Sequence, residues 1–149
     1  MVPPGTGQLA GIVSGVRVLS HGTQVLFPWG PHGRDLDSQD HIAHMLANRS
    51  GKIVVSVDYR LAPGHRFPAG IEEAYAALTW VAANAGSFGG DGQNIAVFGE
   101  SAGGELAAVL VQKAQRRGGP RIALQVPAYP RSTGWTTAPT CTRTWPGRC

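Results

Sequence analysis

Two periods of apolar residues alternate along this chain. Val16-Arg17-Val18-Leu19 and Gln24-Val25-Leu26-Phe27 read as short strands. The spacer between them, Ser20-His21-Gly22-Thr23, suits a hairpin turn. Asp37 or Ser38 then stands where a helix cap is wanted, ahead of apolar positions Ile42, Met45 and Leu46. That helix should stop near Ser50-Gly51. The β-branched run Ile53-Val54-Val55-Ser56-Val57 suits a strand buried on both faces. Ile71, Ala74, Tyr75, Leu78, Val81 and Ala82 follow a helical spacing, with Glu72 and Glu73 in the first turn, where the helix dipole favours anions. Gly86 is the expected stop. Ile95-Ala96-Val97-Phe98 reads as a buried strand. It is followed by a helix with Leu106, Ala107, Leu110 and Ala114 on one face. Arg116-Arg117-Gly118-Gly119-Pro120 ends that helix, and Ile122-Ala123-Leu124-Gln125-Val126 is a last strand. This order predicts an α/β fold with a mostly parallel sheet flanked by helices, whose ligands bind beyond the carboxyl ends of the strands.

With 149 residues, 42% hydrophobic and 15% charged, the chain is one domain or a large piece of one. No apolar run approaches the ~18 residues of a membrane helix. The N-terminus has no basic region followed by an apolar stretch, so the expectation is a cytoplasmic protein. The net charge of +4 hints at nucleic acid until its distribution is read. Residues 1–130 carry ten Lys or Arg against nine Asp or Glu, and the other three positive charges are Arg131, Arg143 and Arg148. The excess belongs to the last nineteen residues and not to a binding face, so no nucleic-acid partner is expected. The same segment holds both cysteines, Cys141 and Cys149, and six threonines, but no Leu, Ile, Val, Met or Phe. Residues 1–130 are thus expected to form the domain, and 131–149 an irregular basic tail.

Gly99-Glu100-Ser101-Ala102-Gly103 matches G-x-S-x-G and falls between a buried strand and a helix. That context is what a nucleophile elbow requires. The turn is so tight that the flanking residues must be small, and it lifts the serine hydroxyl out at the strand end. The N–H of Ala102, at the helix start, then points where an oxyanion develops.

Together with Asp58-Tyr59-Arg60-Leu61-Ala62-Pro63, Phe67-Pro68-Ala69, Gly89-Gly90-Asp91, Gly104 and Tyr129-Pro130, this motif resembles the hormone-sensitive-lipase-like branch of the α/β-hydrolases. The resemblance is good over about residues 35–130 and loose over 16–34. It implies a partial α/β-hydrolase fold and hydrolysis of a small carboxylic ester, with no metal and no organic cofactor. It implies that Ser101 is the acyl-accepting nucleophile and the Ala102 N–H one oxyanion donor. Glu100 stands where the family usually has Asp.

Two stretches depart from the family. After the strand ending at Phe27 the family has a His-Gly-Gly-Gly loop that completes the oxyanion hole. Here Pro28-Trp29-Gly30-Pro31-His32-Gly33 follows, and its prolines have no N–H to give. Gly30 or Gly33 remains to donate, and Gly30 is the candidate. In this fold an acid and then a histidine follow the serine in the chain. After Ser101 the only acid is Glu105, one helical turn away, and there is no histidine. His21, His32, His41, His44 and His65 all precede it. Without a base a serine hydroxyl stays protonated and weakly nucleophilic.

His65 and His32 fall in loops at the carboxyl end of the sheet and are the candidate bases, though exposed loop histidines are the simpler reading. His41 and His44 share a helix but have no evident third metal ligand, so a solvated face is expected. Asp58 and Asp91 look structural, and Tyr75 and Trp80 look like core. The competing expectation is a catalytically inactive, truncated hydrolase, whose incomplete sheet would leave an apolar face open to self-association.

Overall fold

The structure is a computed structural model and describes residues 13–17, 22–27 and 36–130. Its elements are β1 (Val13–Arg17), β2 (Thr23–Phe27), α1 (Leu36–Ser50), β3 (Ile53–Val57), α2 (Ala69–Asn84), a short 3-10 turn (Ala85–Phe88), β4 (Ile95–Glu100), α3 (Ala102–Arg117) and β5 (Ile122–Ala128). The strands form one sheet in the order β1-β3-β2-β4-β5. β3, β2, β4 and β5 are mutually parallel, and β1 runs antiparallel on the outer edge of β3.

The expected hairpin between the first two strands is therefore wrong. β2 pairs with β3 on one side and β4 on the other, which leaves β1 no edge of β2 to use. The composition of β2 explains this. Val25, Leu26 and Phe27 are all buried, and a central position covers both faces of the strand where an edge position would not. β1 also begins earlier than the run at Val16 suggested, and Val18 and Leu19 lie outside the described residues.

Two helices cover one face. Ala74, Ala77, Leu78 and Val81 of α2, with Leu106, Ala107 and Leu110 of α3, pack on Val25, Phe27, Val55, Val57, Ile95 and Val97. Tyr75 and Trp80 lie against this core, as read from the sequence. Each large aliphatic side chain so buried contributes roughly 1.5–3 kcal/mol. Lys113 bridges to Glu72 at 2.6 Å and ties the two helices together at the surface. The other face carries α1 alone, whose Ala43, Leu46 and Ala47 sit on Leu26, Val54 and Phe98.

Several boundaries differ from the sequence reading. α1 starts at Leu36, so Asp37 and Ser38 lie inside its first turn and do not precede it. Met45, expected in its apolar stripe, is 45% exposed, and Ala47 takes the buried position. Gly86 does not stop α2. The chain tightens into the 3-10 turn and ends at Gly89, whose φ of 82° caps it through its own N–H. Gly118 ends α3 in the same left-handed conformation. Among the described residues no helix is long and apolar enough to cross a membrane.

Candidate active site

β4 ends at Glu100 and α3 begins at Ala102, so Ser101 alone joins strand to helix. Its φ of 51° and ψ of −117° lie where a non-glycine residue is rarely found. That dihedral pair turns the chain sharply and leaves the side chain half-buried at the carboxyl end of the parallel strands. The neighbours must be small. A Cβ on Gly99 would come within 3.0 Å of the Gly103 carbonyl and the Gly104 nitrogen. Gly103 and Gly104 are buried beneath the turn.

The Ser101 carbonyl accepts the first helical bond from Glu105 N–H at 3.1 Å. The N–H groups of the preceding residues, Ala102 among them, have no acceptor within the helix. They carry the positive end of a sixteen-residue helix dipole. Glu105 lies in that first turn, as a dipole would favour, and not on the end of a later strand.

The end of β5 lies against the turn. Ser101 N–H donates to the Ala128 carbonyl at 3.0 Å. Tyr129 donates its hydroxyl to the Glu100 carboxylate. That bond, above all other causes, raises the phenol's pKa from its ordinary value. Sequence reasoning missed this pair; its only sign was the Tyr129-Pro130 motif.

His65 follows β3, and Arg60 Nη1 lies 3.4 Å from its Nδ1. Arg60 in turn pairs with Glu73 of α2 through both side chain and backbone, which anchors the loop on the helix. The histidines of α1 point to no site: His41 is exposed, and His44 Nε2 lies 3.4 Å from Asp40. No described histidine is hydrogen-bonded to Ser101. Among the described residues no group of three or more His, Cys, Asp or Glu is gathered as metal ligands would be. Asp91 has the structural role expected of it. It accepts the Asn94 amide and Gln93 N–H, the latter at 2.8 Å, which lower its pKa and shape the turn into β4. Burial pushes the Tyr59 hydroxyl up to about 12, and its ring meets Phe27 edge-on at 6.4 Å. Gly30, His21, His32, Cys141 and Cys149 lie outside the described residues.

Comparison with known proteins agrees with this geometry. A family model described as the alpha/beta hydrolase fold matches residues 30–146. The match runs past Pro130, to residue 146. Carboxylesterase NlhH of Mycobacterium tuberculosis is 48% identical over 107 residues, which are 72% of this chain and 34% of that protein. Esterase LipI of the same organism is 52% identical over 101 residues, 68% of this chain and 31% of that one. A hyperthermophilic esterase from Pyrobaculum calidifontis superposes with a TM-score of 0.71 at 46% identity, covering 76% of this chain and 37% of its own. The chain thus spans about a third of the length of the curated relatives it matches. The elbow, the sheet order and the family match together place it in the α/β-hydrolase family, in the branch that resembles hormone-sensitive lipase.

Proposed function

We propose that this chain carries the nucleophile half of a serine esterase site. Ser101 is the acyl acceptor for a small carboxylic ester, and the Ala102 N–H is one donor to the oxyanion. The observation that carries this is the backbone of Ser101 at φ 51° between a buried strand and a helix N-terminus. The esterase names of its relatives support it. Attack forms a bond from Ser101 Oγ to the ester carbonyl carbon as the C=O π pair moves onto oxygen, the hydroxyl proton must pass to a base, and collapse of the oxyanion breaks the bond to the alcohol, which leaves with a proton. The acid and histidine that supply this base in the fold follow the serine, and these 149 residues hold neither a histidine nor an Asp after Ser101. Gly30 is the candidate second oxyanion donor. Loss of one such donor lowers turnover ~10²–10³-fold.

A second reading is a hydrolase portion that is inactive by itself and associates with copies of itself. Leu124 and Val126 of β5, exposed among the described residues, support it. Hydrolysis of a short-chain aryl ester, measured beside Ser101→Ala, separates the two. Turnover abolished by the substitution establishes Ser101 as an activated nucleophile and implies a base upstream or on another chain. Equal rates in both proteins overturn the esterase reading for this chain.

A further inference from the structure

We propose that Tyr129 is a positioning residue for Ser101, holding the elbow in shape through its hydrogen bond to Glu100. The inference rests on reading Ser101 as the nucleophile.

The register makes the arrangement specific. Glu100 and Ala128 are partners across the parallel β4–β5 pair. Each is followed by a non-glycine residue at positive φ, Ser101 at 51° and Tyr129 at 33°. These are the two such residues among those described, and they stand side by side at the same end of the sheet. A backbone of this kind persists where its surroundings hold it.

Two bonds cross between them. Ser101 N–H donates to Ala128 C=O, and Tyr129 O–H donates to the Glu100 side chain. The residue before each strained position and the strained residue itself are thereby tied to the opposite strand. The helix is held by the same junction. A Cβ on Gly104 would stand 3.2 Å from the Ala128 carbonyl and 3.4 Å from Pro130 Cβ, so the first turn of α3 rests on the end of β5. A shift of residues 128–130 would move the serine and the helical N–H groups beside it together.

Packing does not account for Tyr129, which is 69% exposed. Its ring fills no core, and what distinguishes it is where its hydroxyl goes. The bond also engages the one carboxylate adjacent to the serine, where free negative charge would oppose a developing oxyanion. Glu100 is thus given a role beyond filling the family's acidic position.

The test is amide hydrogen exchange at Ser101 and Ala102 in the full chain, with Val97 in the centre of β4 as the internal reference. Tyr129→Phe removes one oxygen from an exposed ring. It is expected to speed exchange at Ser101 about tenfold and to leave Val97 unchanged. Glu100→Ala should do the same, and the double variant should do no more than either alone, because both remove one bond. Glu100→Gln keeps an acceptor oxygen and should restore most of the protection. As a spectroscopic signature, the alkaline ultraviolet titration of Tyr129 should move to lower pH in Glu100→Ala. Unchanged exchange at Ser101, additive effects, or equal acceleration at Val97 would overturn the proposal. Ester turnover is scored separately. A chain with no Ser101-dependent turnover refutes the nucleophile reading while exchange still decides the tether.

Discussion

On the face of the sheet beneath α2 and α3, Val25, Val55, Ile95 and Val97 are fully buried, whereas on the opposite face Leu124 and Val126 of β5 are 54% and 38% exposed. The strands on the two faces have similar chemistry. What differs is the cover. The register sets Leu26, Phe98 and Val126 in one row across β2, β4 and β5. α1 closes the row over Leu26 and leans on Phe98, while Val126 stays 38% exposed. Apolar patterning in a strand reports that a partner is suited to it, and the partner has to come from elsewhere in the fold. The Ser101 turn lies between β4 and α3, at the border of the two regimes. The core side is closed by α2 and α3, and the β5 side rests on a strand whose Leu124 and Val126 are exposed among the described residues.

The sharpest way to break this contrast is to truncate one leucine in each region. Leu110→Ala, beneath the closed face, should lower unfolding stability by about 2–5 kcal/mol. Leu124→Ala should change it by no more than about 0.5 kcal/mol. Urea unfolding of both variants measures the difference, and equal losses would mean that the β5 face is closed in solution.

Next in size is the border itself. Gly99→Ala forces a methyl group toward the Gly103 carbonyl, a backbone group that cannot swing aside. A loss of about 1–3 kcal/mol is expected, together with loss of any Ser101-dependent ester turnover. A stable variant with unchanged turnover would show the elbow to be looser than drawn.

The open face gives a subtler test. Leu124→Lys combined with Val126→Lys should shift the sedimentation profile toward single chains while leaving the urea midpoint nearly unchanged. An unaltered profile would remove the case for association through this face.

The smallest effect lies on the closed side, where Lys113 and Arg117 face Glu72. The hydrogen bond from Lys113 holds the Glu72 carboxyl below its ordinary 4.5. A carboxylate with a depressed folded pKa adds stability above its unfolded pKa and loses it as pH falls through the folded one. The small advantage of the protein over Glu72→Gln should therefore be present at pH 7 and fade below about pH 4.5, as pH-dependent unfolding would record. An advantage constant down to pH 2 would argue against the bridge.

Much of this architecture was legible in the order of residues. Helical spacing marked the buried faces of α2 and α3 because a helix brings positions three and four apart onto one side. The run Ile53–Val57 announces a strand buried on both faces, and Gly99-Glu100-Ser101-Ala102-Gly103 places the serine between strand and helix. These are local properties, decided within a few residues by sterics and period. The same reading failed where the deciding contact was distant. It paired β1 with β2 because the spacer between them was short, while burial of Val25, Leu26 and Phe27 drove β2 to the centre. It put Met45 inside because apolar spacing does not say how far a helix overlaps the sheet.

By itself, then, the sequence determined the alternation of elements, the closed core faces and the position of the elbow, since each follows from backbone geometry over one or two turns. Only the tertiary structure decided the strand order, the exposure of Leu124 and Val126 among the described residues and the tie from Tyr129 to Glu100. That bond joins residues 29 positions apart, and no local period records a contact that exists only once two strands lie side by side.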